Sequence, residues 1–108
     1  MGIDVHITRS TDWTKNQGCE ISADEWQRLI SDDPELVSDP ANGPHAARWA
    51  AHPEPTQEAW LDWYDGNIYT TNPDQLLVTK MLQIAQGLDA TVQDDDKNTL
   101  GAAVSADT

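Results

Sequence analysis

Residues 58–89 read EAWLDWYDGNIYTTNPDQLLVTKMLQIAQGLD. Asp65-Gly66 lies between two runs that alternate aromatic or apolar residues with polar ones. That dipeptide suits a two-residue type I′ turn, which needs positive φ at both central positions. The turn sets Tyr64 opposite Asn67, Trp63 opposite Ile68, Asp62 opposite Tyr69, Leu61 opposite Thr70 and Trp60 opposite Thr71. Paired residues share a sheet face, and successive residues alternate. One face therefore takes Ala59, Leu61, Trp63, Ile68 and Thr70, the apolar set. The other takes Trp60, Asp62, Tyr64, Asn67, Tyr69 and Thr71. A helix over 73–87 follows, with Asn72 as N-cap, Pro73 at N1, Gln75 at N3 and Gly87 closing the end. Its stripe of Leu77, Met81, Ile84 and Leu88 needs a sheet to cover.

Upstream, Ile3, Val5 and Ile7 alternate with polar residues, which predicts a half-buried strand over 3–8. Residues 10–18 are polar and loop-like, with Trp13 as an anchor. Ser22 and Glu25 form a capping box, and Ile21 can staple to Trp26. The helix they open should cover 22–32 and stop before Pro34. Residues 35–44 read as loop. Over 46–51 the alanines favour helix, whereas the alternation of Ala47, Trp49 and Ala51 with Arg48 and Ala50 favours strand. A strand is expected, because a third antiparallel strand makes the hairpin a viable sheet. Residues 90–93 form a last strand. The expected order is β-α-β-β-β-α-β, an α+β two-layer sandwich with a mainly antiparallel sheet and two helices on one face. A single domain should span 1–93, with 94–108 an acidic, polar tail that frays.

The chain has 108 residues, 38% of them hydrophobic, with no Phe and five Trp, so Trp must supply much of the aromatic packing. Nineteen acids against six bases give a net charge of −13. Such a surface opposes nucleic acid and anionic membrane and favours a basic protein partner. Cys19 is the only cysteine, so no internal disulfide forms. The N-terminal sequence lacks the blocks of a signal peptide, and no apolar run approaches membrane-spanning length, so a soluble cytoplasmic protein is expected.

No Gly-rich phosphate loop, nucleophile elbow or basic patch is present, and no cofactor is expected. His6 and His52 could meet on the open sheet face and, with Asp4 or Asp62, build an acid–base or metal site. Scattered histidines on a polar face are more often solvated, and no metal ligand set is assigned. Asp94, Asp96 and Asn98 match the first, third and fifth positions of a calcium loop, but Thr99 stands where that loop needs Gly and Ser105 where it needs Glu. Cys19 has no activating neighbour in sequence. The strongest candidate is the face carrying Trp60, Asp62, Tyr64 and Tyr69, because aromatic rings with carboxylates recognise Arg or Lys. The acidic segment of Asp32, Asp33, Glu35 and Asp39 should assist. The opposing expectation is that loop 10–18 or 35–44 folds over these rings and makes a second small core.

Several blocks carry a family resemblance: MGIDVHITR at 1–9, Glu20-Ile21-Ser22 with Glu25-Trp26, and WLDW at 60–63 with Asp65-Gly66. It continues through Asn72-Pro73-Asp74, Lys80-Met81, Ile84-Ala85 and ATVQDD at 90–95. Together they resemble small acidic bacterial proteins of the kind encoded beside polymorphic toxins, where immunity proteins have similar size and charge. That pattern continues after the two aspartates with Gly-Glu and an aromatic, whereas Asp96-Lys97-Asn98-Thr99-Leu100 stands here. The resemblance implies no catalytic residue. With the charge, size and half-covered sheet, the expectation is a non-enzymatic binding protein, an immunity protein or inhibitor that occludes a basic toxin-like partner, and a monomer or weak homodimer. The alternatives are a small enzyme or metal-binding protein using His6, His52 and Asp62, or a dimerising structural module.

Overall fold

The turn at Asp65-Gly66 forms in the left-handed region, with φ of 51° and 86°, in a computed structural model that describes residues 4–53 and 59–100. The elements in chain order are β1 (Asp4–Thr8), α1 (Ala23–Asp32), β2 (Leu36–Ser38), a 3₁₀ turn (Pro40–Asn42), β3 (Ala47–Trp49), β4 (Trp60–Tyr64), β5 (Asn67–Thr71), α2 (Gln75–Gly87), β6 (Thr91–Asp94) and β7 (Thr99–Leu100). The strands form one seven-stranded antiparallel sheet in the order β2-β3-β4-β5-β1-β6-β7. The fold is α+β, with both helices lying across the sheet as the pattern predicts.

The hairpin register is the predicted one, with Asp62 opposite Tyr69, Trp63 opposite Ile68 and Tyr64 opposite Asn67. It turns Leu61 and Ile68 toward the helices. There they meet Val5, Ile7 and Val92 from the sheet, Trp26 and Ile30 from α1, and Leu77, Met81 and Ile84 from α2. Trp63 is only partly buried; its Nε1 donates to the Ile21 carbonyl at 2.8 Å. Trp26 is fully buried, and its indole N–H donates to the His45 carbonyl at 2.7 Å. A buried indole needs such a partner.

Helix α1 starts as expected. Ser22 Oγ accepts from the Glu25 N–H and Glu25 Oε1 from the Ser22 N–H, both at 3.0 Å. Arg9 then binds Glu25 through two guanidinium nitrogens at 3.0 and 2.6 Å, while its Nε donates to the Leu88 carbonyl. One side chain thus ties β1 to the first helix and to the end of the second.

Helix α2 departs from expectation at both ends. Asn72 has φ of 51°, which is incompatible with the extended backbone of an N-cap. The cap is Asp74, whose Oδ1 accepts from the Leu77 N–H at 2.9 Å. Gly87 stays helical, and Asp89 takes the left-handed conformation with φ of 54°.

Two short strands lie where loop and tail were expected. β2 arises inside 35–44 and pairs with β3, which is shorter than the predicted 46–51. β7 arises inside 94–108 and pairs with β6. Asp94 makes that return possible, since its Oδ1 accepts from the Asp96 and Asn98 N–H groups, both at 2.9 Å. Residues 1–3, 54–58 and 101–108, which include the start of the expected first strand and the rest of the expected tail, lie outside the described residues.

Candidate functional site

The face turned away from the helices is organised around Tyr69. Cross-strand pairing places Asp62 on one side of it and His6 on the other, and Gln93 beyond His6. The Trp60 ring meets Tyr69 edge to face, with centroids 5.6 Å apart and planes at 87°. Burial raises the Tyr69 phenol above its ordinary value, and the charges of Asp62 and Asp4 push it the same way. Both carboxylates therefore act on this one hydroxyl.

Loop 10–18 covers part of this face. Trp13 stacks on His6 with centroids 3.7 Å apart. Gln93 holds the loop with both ends of its amide, accepting from the Trp13 N–H and donating to the Thr11 carbonyl, each at 2.9 Å. Asn16 donates to the Asp65 carbonyl at 2.8 Å and to Asn67 Oδ1 at 3.2 Å, and Asn67 donates to the Trp13 carbonyl at 2.9 Å. Asn67, expected on an open face, is buried for this reason. The loop buries His6, Asn67 and Gln93 rather than folding over the whole ring cluster, and Tyr64 stays 71% exposed.

Among the described residues, a cleft lies on each side of Tyr69. The first, of about 510 Å³, is lined by Trp60, Asp62 and Tyr69 with Asp39, Asn42 and Arg48. Asp39 Oδ2 accepts from Asn42 Nδ2 at 2.6 Å and holds the 3₁₀ turn at the rim. The second, of about 480 Å³, is lined by Tyr64, Tyr69, Trp13, Asp4 and Asp65, with His6, Thr14, Asn16 and Asn67 completing the wall.

Of the predicted binding residues, Trp60, Asp62, Tyr69 and Asp39 come together, and Tyr64 stands in the adjoining cleft. Asp33 and Glu35 do not join them. Both bind Lys80, with Nζ 2.8 Å from Asp33 Oδ2 and 2.8 Å from Glu35 Oε1. The Lys80 side chain is 3% exposed. Burial alone would lower its ammonium, but hydrogen bonds to the two carboxylates outweigh this and raise it. Burial pulls Asp33 upward, yet the Lys80 hydrogen bond and the Glu35 N–H leave it lowered; Glu35 is lowered first by Lys80, then by the Trp49 indole. These acids hold α2 to the end of α1. Asp32 lies elsewhere too, in a shallow hollow with Arg28 and Leu88 on the helix side.

His6, His52 and Asp62 do not converge. His6 Nε2 is 3.3 Å from Asp95 Oδ1, whereas His52 Nε2 is 2.6 Å from Asp74 Oδ2 and its ring meets Trp49 edge to face. The acid–base arrangement expected of a small enzyme built on that trio is absent. Asp4, His6 and Asp95 lie close enough to offer three donors to one cation. Within the trio, Asp95 meets His6 Nε2 through Oδ1 and accepts from the Asp4 N–H through Oδ2 at 2.9 Å, while Asp4 Oδ1 accepts from the Thr71 hydroxyl at 2.8 Å. The trio reads as a latch between β1 and the β6–β7 turn. The carboxylate of Asp94 is likewise occupied by its own turn and is lowered by those N–H groups, so the sequence likeness to a calcium loop has no open first ligand. Cys19 is exposed, with a free thiol.

Sequence reasoning missed Asn16 and Asp95 as organisers of this face. Neither has a local pattern; they act across 49 and 89 positions of chain respectively. Among the described residues, no helix is long and apolar enough to cross a membrane. No family model, curated protein or solved structure matches this chain.

Proposed function

We propose that this is a non-enzymatic binding protein that occludes a basic protein partner, as an immunity protein occludes a toxin domain. The observation that carries the reading is the Tyr69-centred face, where aromatic rings and the carboxylates of Asp4, Asp39, Asp62 and Asp65 line two adjoining clefts. Flat aromatic surface beside carboxylates suits Arg, which pairs with acid and stacks on rings. The net charge of −13 would accelerate encounter with a cationic surface, and the rings would set the off-rate. The separation of His6 from His52 favours binding over the acid–base alternative.

The test is affinity capture from the source cells, identification of the captured protein, and measurement of its kinetics with wild type, Trp60→Ala and Tyr64→Ala. Circular dichroism first establishes that each variant folds. The expected result is a basic partner whose on-rate falls as salt rises, with each variant losing about 2 kcal/mol or more if its ring is a hot spot. Recovery of no basic partner, or wild-type affinity in both variants, would overturn the reading.

A further inference from the structure

We infer that the cleft on the Asp65 side of Tyr69 receives an arginine side chain of the basic partner; this assignment rests on the binding reading above. The two clefts are similar in volume, about 510 and 480 Å³, but they differ in charge. The first contains Arg48 beside Asp39 and Asp62, so an incoming cation meets a like charge there. Among the described residues neither Lys nor Arg lines the second; its charged groups are the carboxylates of Asp4 and Asp65. The one titratable base on its wall, His6, is buried beneath Trp13 with Nε2 turned to Asp95.

The second cleft also has the aromatic surface a guanidinium uses. Trp13, Tyr64 and Tyr69 all line it, and Tyr64 is 71% exposed. A guanidinium is planar and weakly hydrated, so it stacks on rings while its N–H groups reach carboxylates; a compact ammonium does the first poorly. Among the described residues, the Asp65 carboxylate has no side-chain hydrogen bond or ion pair, and only Oδ1 of Asp4 is engaged, by Thr71.

The rim is fixed before any partner arrives. Ile21 donates to the Gly66 carbonyl at 2.9 Å and Asn16 to the Asp65 carbonyl at 2.8 Å. A Cβ at Gly66 would lie 2.7 Å from Glu20 and 2.8 Å from Asn16, so the turn is seated directly on the preceding chain. A rigid rim loses little entropy on binding.

The test uses hexa-arginine and hexa-lysine peptides, titrated into the full-length protein by calorimetry at low salt. The variants are Asp65→Asn, Tyr64→Ala, Trp60→Ala and Asp24→Asn. Asn tolerates the positive φ at position 65, and Tyr64 is too exposed for its removal to unfold the chain. Asp24, on α1, controls for the loss of one charge away from the cleft. Asp65→Asn and Tyr64→Ala should each weaken hexa-arginine about tenfold, and hexa-lysine should bind wild type about tenfold more weakly. Asp24→Asn should change affinity less than about twofold. An equal loss with Asp24→Asn, or equal affinity for the two peptides, overturns the assignment. If Trp60→Ala abolishes hexa-arginine binding and Tyr64→Ala does not, the binding reading stands and this cleft is the wrong one. If neither Trp60→Ala nor Tyr64→Ala affects the peptide or the captured partner, both fall.

Discussion

Trp13 lies flat on His6, with ring centroids 3.7 Å apart and planes 12° apart. This contact turns a polar loop into the cover of part of a sheet face. It buries the imidazole and places the indole in the wall of the cleft beside Tyr64 and Tyr69. The cleft beside Tyr64 owes part of its wall to that loop.

Asn16 is the fastening of the loop. Its amide is buried and donates to the Asp65 carbonyl and to Asn67 Oδ1. Asn16→Ala leaves two acceptors without this donor and should cost about 1–3 kcal/mol. Urea denaturation measures it. A midpoint equal to wild type would mean that the loop is not held through this side chain.

Lys80 and its two acids should respond asymmetrically. The lysine side chain is 3% exposed, against 22% for Asp33 and 48% for Glu35. Asp33→Asn with Glu35→Gln leaves a buried cation without a counter-charge, with Gln83 Oε1 still 3.1 Å away, and should cost about 3–5 kcal/mol, whereas Lys80→Met leaves two acids within reach of water and should cost less. If the methionine variant is the less stable of the two in chemical denaturation, the acids are the buried members.

The start of α2 can be tested at Asp74. Asp74→Ala should lower stability by about 0.5–2 kcal/mol, and Asp74→Asn should recover most of it because an amide oxygen still caps. Thermal melts distinguish the three proteins. An alanine variant that melts with wild type would return the cap to a different residue.

Glu25 gives a pH signature. Hydrogen bonds from Arg9 and the Ser22 N–H hold its carboxyl at about 2, down from 4.5. A folded value below the unfolded one means stabilisation that is fully present above pH 4.5 and is lost as pH falls through about 2. Wild type should therefore exceed Glu25→Gln in urea midpoint at neutral pH, and the gap should close across that window. A gap of constant size down to pH 2 would show that the Arg9 pair is not its source.

The parts of this protein that its sequence determined are those set by backbone preference and periodicity. Asp65-Gly66 accepts positive φ, so the turn, the register and the two hairpin faces follow from the residues themselves. Ser22 and Glu25 satisfy each other across three positions, so α1 starts where they stand. Tertiary structure decided what depends on distant partners. The residue pattern pointed to Asn72 as the cap of α2, and the left-handed backbone at Asn72 gave the role to Asp74 instead. β2 and β7 are too short to show a period, and pairing with a neighbour makes them strands. Asp33 and Glu35 looked like free acids because Lys80 lies 47 and 45 positions away. The histidines shared a predicted face, yet His6 was claimed by Trp13 and Asp95 and His52 by Asp74. Local signals fix φ, ψ and which way a side chain points. Which charges and rings meet is settled only when packing brings remote segments together and each buried polar group must find a partner.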